Sequence, residues 1–305
     1  MVWGGEMRFM QQRTGALLVL ASAVAFGVMP IFGKLAFEAG VGVATLLVIR
    51  FAIAAPVLWG AVALRRVFPH GASRGVLGRA LALGAVGYAM QAGLYFLALE
   101  RMDASVLSLV LYSYPALVTG AAILLGREAA NRRRLVALVI ASGGLVLVLA
   151  GAGAGALDLA GMALGAGAAL TYTTYILVSD GVTSKLEALP LAALVSTGAA
   201  LSLGLVAAAT GTLDLGFDAS GWIWLGCAAL VSTVLAVVLF FSGMSRVGPS
   251  TAAILSTLEP PVTVALVFVT FGEALGAVQI LGALAVLGAA VVVNLPSRRT
   301  VDALA

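Results

Sequence analysis

Two residues in this chain stand where only chemistry or pairing would keep them. Arg50 and Glu259 lie deep within long apolar stretches, in a sequence of which only 10% is charged. Arg50 is about nine residues, or roughly 13 Å at the helical rise, from the end of its stretch. Glu259 is about eleven residues, or roughly 16 Å, from the end of its own. Both therefore fall near the midplane of a hydrocarbon layer about 30 Å thick. An ionisable group at that depth is costly and faces a bundle interior or a water-filled path. Glu259 could carry a coupling proton or hold a substrate amine, while Arg50 could hold a substrate carboxylate. Equally, the two could satisfy each other, or bind polar neighbours, and simply hold helices together.

Further polar groups gather at helical spacing. Tyr88, Gln91 and Tyr95 are three and four residues apart and share one helix face. Ser105, Ser108, Tyr112, Pro115 and Thr119 repeat that spacing, and Ser250, Thr257 and Pro260 repeat it again further on. Thr171, Tyr172, Thr174 and Tyr175 make another polar, aromatic turn. Hydroxyls and amides are unwelcome in lipid, so these faces turn inward, either to line a cavity or to pack helices. Serine and threonine often return their hydrogen bond to their own helix, which lowers their claim on a cavity. A lining of tyrosines with one amide suits small amphipathic solutes better than phosphates. Pro115 and Pro260 each remove a backbone hydrogen bond and kink a helix, as paired hinges or as static bends.

The elements that must position these residues follow from composition. The chain has 305 residues, 62% hydrophobic, with 37 glycines. Soluble domains carry about 25% charge, so this one excludes a soluble enzyme, a nucleic-acid binder and a disordered chain. Ten apolar stretches are long enough to cross a bilayer: 14–33, 41–64, 79–99, 104–126, 132–151, 160–179, 189–210, 221–243, 248–271 and 274–294. The expected fold is an all-α membrane protein with ten transmembrane helices. The first stretch follows Arg8 and Arg13 and contains Ala21-Ser22-Ala23, but its apolar run continues to Phe32, too long for a signal-peptide core. With the N-terminus inside, fourteen of the 17 Lys and Arg residues fall on the inner loops and tails. The positive-inside rule therefore places both termini in the cytoplasm, in an inner or plasma membrane.

One cysteine, Cys227, and one histidine, His70, provide neither a disulfide nor a metal cluster. Phosphate-binding loops are absent, and so are His-Glu-x-x-His and paired buried Asp residues. No cofactor, metal or enzymatic activity is expected. A channel is harder to set aside on chemistry alone.

The chain also repeats itself. Residues 101–144 lie over 246–289 at a constant offset of 145, matching Arg101 to Arg246, Ser105 to Ser250, Pro115 to Pro260, Glu128 to Glu273 and Gly143 to Gly288. Nearer the start of each half, Gly15 and Phe26 fall on Gly161 and Tyr172 with the offset at 146. Five spans per half is an odd number, so the second half enters the membrane upside down. Inverted repeats place a transporter's substrate site near mid-membrane between the halves. The first repeat covers 14–151 and the second 158–294, with tails at 1–13 and 295–305 and Gly151-Ala-Gly-Ala-Gly155 as a linker. Glu128 and Glu273 are expected to cap the fifth and tenth helices, where the dipole favours an anion.

Phe26-Gly27 with Lys34, Arg50-Phe51, Tyr114-Pro115 to Gly126-Arg127-Glu128, and Leu258-Glu259-Pro260 to Phe271-Gly272-Glu273 together resemble the drug/metabolite transporter superfamily, specifically its EamA-type members with two repeats. The resemblance covers about residues 14–294, and it departs at Val28-Met29, where a polar turn is usual. It implies a secondary transporter of amino acids or other small metabolites, with export as the direction, and with alternating access between the repeats. The partners expected are a small-molecule substrate, with protons as a candidate second one, and the lipid bilayer, but no nucleic acid. The sequence sets no oligomeric state and is compatible with a monomer.

Overall fold

Hydrocarbon offers a backbone no hydrogen-bond partners, so a chain this apolar must satisfy each N–H and C=O within its own segments. The computed structural model does so with helices. It describes residues 2–69, 71–126, 132–151, 158–183, 186–247, 252 and 255–294, and among these there is no strand. Seven helices are long and apolar enough to cross a membrane, and shorter apolar helices at Val139–Val148, Glu259–Phe271 and Ala277–Ala289 accompany them.

The first half contains α1a (Val2–Gly27) and α1b (Met29–Glu38), then α2 (Val43–Arg65). Next, α3 runs through Arg74–Ala82, Leu83–Tyr88 and Ala89–Leu99. After it come α4a (Ala104–Leu111), α4b (Tyr114–Leu124) and α5 (Arg132–Gly151). The second half contains α6 (Leu159–Thr183), α7 (Ala188–Thr210) and α8 (Ala219–Ala229, Leu230–Leu235, Ala236–Val247). It ends with α9, whose later part is α9b (Glu259–Phe271), and α10 (Ala277–Asn294). Helix α1 already begins at Val2, so residues read as a tail prolong the first helix. The linker residues 152–155, Glu128, His70 and the tail 295–305 lie outside the described residues.

The chain crosses back and forth, so α1 starts and α10 ends at one face, called here the terminal face. At the opposite face, the Asp218 N–H donates to the Ala39 carbonyl at 3.0 Å and the Thr45 hydroxyl to the Asp214 carbonyl at 2.9 Å. The buried core between them includes Leu46, Phe51, Phe96, Leu99, Leu107 and Leu225, from α2, α3, α4 and α8.

Helix pairing reflects the repeat. The contacts that the repeat relates join α1 to α8, α3 to α6, α2 to α7, α4 to α9 and α5 to α10, and α3 also packs closely on α7. Exchanging the halves turns the α1–α8 pair into α6–α3 and maps α2–α7, α4–α9 and α5–α10 onto themselves. Matched residues serve the two exchanged contacts. A Cβ added at Gly15 would meet Arg246 Cβ at 2.6 Å, and one added at Gly161 would meet Arg101 Cβ at 3.1 Å.

The kinks expected at Pro115 and Pro260 are present as short turns, at which the preceding residues Ser113 and Leu258 keep helical dihedrals. Each proline stands at the start of a new helix, as does Pro30 in α1b, which the sequence did not single out. Proline is well placed there because the first N–H groups of a helix have no intrahelical acceptor. Helices α3 and α8 are loosened differently, each by one π-helical stretch, Leu83–Tyr88 and Leu230–Leu235.

Candidate functional site

The three breaks bring Met29, Tyr114 and Glu259, the first residues of α1b, α4b and α9b, to one small chamber. Its volume is about 130 Å³, and Arg50, Tyr88, Gln91, Tyr95, Tyr112 and Tyr172 supply the rest of its polar lining. At these kinks the N–H groups that follow are already paired, Ile31 and Phe32 with the Val28 carbonyl, Ala116 and Leu117 with that of Ser113, and Val262 with that of Leu258, so the charges facing the chamber are those of Arg50 and Glu259.

All six tyrosines of the chain belong to this region. Ring centroids run Tyr112–Tyr114 at 5.6 Å, Tyr114–Tyr172 at 4.7 Å, Tyr172–Tyr175 at 6.1 Å and Tyr175–Tyr88 at 6.0 Å. These separations lie within the range of favourable aromatic pairs. Tyr95 packs edge-on against Phe96 at 5.5 Å. The result is a continuous aromatic wall drawn from α3, α4 and α6.

Arg50 is 1% exposed. Its Nε donates to the Thr233 hydroxyl at 2.8 Å and an Nη donates to the Tyr88 hydroxyl at 3.4 Å. The guanidinium carbon lies 4.9 Å from the Phe51 ring centre and 5.6 Å from that of Phe96, a cation–π setting. Thr233 stands in the π-helical stretch of α8 and passes its own proton to the Ala228 carbonyl, five residues back, at 2.9 Å. Glu259 receives a hydrogen bond from the Tyr112 hydroxyl at 2.9 Å. Among the described residues the ion pairs are Lys34–Glu273 and Arg101–Asp158. Arg50 and Glu259 therefore share the chamber without pairing, each held by hydroxyls from other helices.

The remaining candidates fall around this centre. Tyr175 does not line the chamber but forms part of a larger apolar cleft of about 710 Å³ between α3 and α6, with Val86, Met90 and Val178. Thr257 sits at the α9 break, half-buried and outside the lining. Thr119 donates back to the Pro115 carbonyl at 2.9 Å, as expected for a hydroxyl in a span. Glu273 does not cap α10. It pairs with Lys34, while Gln279 accepts the Gly276 N–H at 2.8 Å near that helix start. Lys34 also lies over the Phe271 ring at 5.6 Å.

Sequence reasoning missed Tyr114, Met29 and Thr233 as site residues. Tyr114 could have been found, because it adjoins the Pro115 already marked as a break. Thr233 forms with Ser232 a polar pair inside an otherwise apolar run, a faint signal. Met29 carries no chemical mark at all.

An all-helical bundle of ten apolar helices, with discontinuous helices meeting at a central chamber, defines an integral multi-pass membrane transporter. Residues 13–150 and again 159–295 match the EamA-like transporter family, so the chain belongs to that family, with two repeats. It is 26% identical over 284 residues to the "Uncharacterized transporter YcbK" of Bacillus subtilis (strain 168), covering 90% of this chain and 91% of that one. A crystal structure described only as that of a protein superposes with a TM-score of 0.65 at 18% identity. The superposition covers 94% of this chain and 99% of the other, and it speaks to the fold.

Proposed function

We propose that this transporter is a proton-coupled secondary carrier of small amphipathic metabolites, amino acids or solutes like them. The observation that carries the reading is the meeting of Arg50 and Glu259 in one chamber, beside the kinks of three helices, without an Arg50–Glu259 ion pair. A substrate carboxylate would find Arg50, near mid-membrane between the repeats. Glu259 would take the coupling proton or the substrate amine, and the tyrosine wall would pack the apolar part of the solute.

At about 130 Å³ the chamber holds only a few waters. Alternating access would enlarge it towards one face at a time, with Pro115 and Pro260 at the moving breaks. The charge asymmetry of the loops supports termini in the cytoplasm of an inner or plasma membrane. Export is the direction the family resemblance implies.

The test is a liposome uptake screen of amino acids and small metabolites, with and without a pH gradient, using purified protein. Gradient-driven, saturable uptake is expected, with loss of the gradient's effect in Glu259→Gln. Unchanged coupled uptake in that variant would remove Glu259 from the coupling role. Ion-like conductance in a planar bilayer would favour a channel over a carrier.

A further inference from the structure

We propose that Tyr112 is the positioning residue that converts protonation of Glu259 into a change at the α9 break. The inference rests on the preceding reading in one respect, that Glu259 takes up and releases a proton.

The Tyr112 hydroxyl has one proton and faces two acceptors. Its oxygen is 2.9 Å from the Ser256 carbonyl oxygen and 2.9 Å from Glu259 Oε2. In a continuous helix the Ser256 carbonyl would accept from the N–H of residue 260, and residue 260 is proline. That carbonyl therefore depends on a donor from outside its own i+4 ladder, and the side chain supplying one comes from α4.

With Glu259 ionised, the charge-assisted bond to the carboxylate is the stronger one and takes the tyrosine proton. The Ser256 carbonyl then loses that donor, at the point where α9 is already interrupted. With Glu259 protonated, its own O–H donates to the tyrosine oxygen and the tyrosine proton turns to Ser256. Both acceptor positions are served in that form alone. One proton joins one carboxylate, the tyrosine proton only reorients, and no other bond changes.

The neighbouring groups allow this switching. Glu259 is faced by Arg50 from α2, Tyr88 and Tyr95 from α3, Tyr112 and Tyr114 from α4, and Tyr172 from α6. Helix α1 presents only Phe26 and Met29. Of these groups Tyr112 alone is recorded bonding to both the carboxylate and the α9 backbone. It is also the residue that the internal repeat matches to Thr257, the neighbour of Ser256 in the sequence.

The experiment measures the α9 break directly and transport separately. Spin labels are placed at Val269 and Leu205, which are 80% and 71% exposed, in a Cys227→Ser background in lipid nanodiscs. Distances are recorded in acid and in alkaline buffer. The otherwise wild-type chain should show a distance distribution that shifts with pH. Glu259→Gln, whose amide can donate to Tyr112, should hold the acid distribution at both pH values. Tyr112→Phe should lose the pH shift while Glu259 remains. Pro260→Ala returns an N–H to the Ser256 carbonyl and should lose the shift with Tyr112 intact. A pH shift that persists in Tyr112→Phe or in Pro260→Ala overturns the proposal, as does its absence in the otherwise wild-type chain. Uptake with and without a pH gradient forms the other arm. A distance shift without gradient-driven uptake would sink the coupled-carrier reading and leave the switch standing.

Discussion

At the scale of single residues, the site depends on how hydroxyls are shared among charges. Arg50 uses Thr233 as its closest polar partner, and Thr233 is free to accept because its own proton goes to Ala228. Removing that hydroxyl leaves a buried cationic N–H without this acceptor, which costs about 1–3 kcal/mol. Thr233→Val should therefore lower the melting temperature of the purified protein, whereas Thr233→Ser should melt close to wild type. Equal melting of Thr233→Val and wild type would mean that Arg50 is served by other groups. Arg50 and Glu259 were legible in the sequence because a lone charge in an apolar run is conspicuous. Thr233 was not, since a threonine in a span is ordinary until a π-helical stretch turns it towards an arginine on another helix. The capping role expected of Glu273 failed for a related reason: linear spacing reveals the helix start nearby but not the lysine that arrives from α1.

Among elements, close backbone approach is what holds α3 to α7. A Cβ at Gly84 would lie 2.0 Å from the Val195 carbonyl oxygen, and one at Gly198 would lie 2.1 Å from that of Leu81. Gly198→Val should destabilise the bundle by about 1–3 kcal/mol through overpacking. Gly204→Val is the control, because nothing stands within 4 Å of its Cβ position. Thermal melts of the two in the same detergent decide the matter, and equal melting would show that the helices simply separate at no cost. At the start of α6, Asp158 accepts the N–H groups of Ala160 at 2.8 Å and Gly161 at 3.3 Å. Those bonds, with a smaller contribution from Arg101, hold its carboxyl below the ordinary carboxylate range. A depressed folded-state value means the cap contributes above the unfolded value and fades as the pH falls through the folded one. Acid below the ordinary aspartate range should thus fray α6, visible as faster amide exchange at Ala160 and Gly161. The breaks at Pro115 and Pro260 were readable from proline type and matched position. Pro30 was not, because it stands in an apolar run with no polar neighbour, and the π-helical stretches leave no local mark.

For the whole molecule, the pairing of α1 with α8 and α3 with α6 makes closure of one face a property of both repeats. The Lys34–Glu273 pair, with side chains 21% and 13% exposed, ties α1b to the end of α9 at the opposite face. Lys34→Gln should favour opening there. A cysteine at Met29 in the Cys227→Ser background would then react about tenfold faster with an impermeant thiol reagent, equivalent to about 1.4 kcal/mol. Reversing both charges, Lys34→Glu with Glu273→Lys, should restore the slow rate, and an unchanged rate in Lys34→Gln would show that the pair does not control access. The two-fold arrangement was visible in the sequence through matched charges and glycines. The exchanged contacts were not, because an offset aligns residues within repeats without saying which helices touch.

One departure from the two-fold has its own consequence. Helix α1 breaks at Val28, yet its counterpart α6 runs unbroken through the matched position, Thr174. There Thr173 and Thr174 already bond the carbonyls of Ala169 and Leu170, in competition with the helix ladder. If the halves trade conformations during turnover, α1 must become continuous while α6 opens beside Thr174. Deuterium uptake should therefore rise at residues 172–176 and fall at 28–32 when substrate drives the cycle. The straight helix, rather than the broken one, is the place to look for motion.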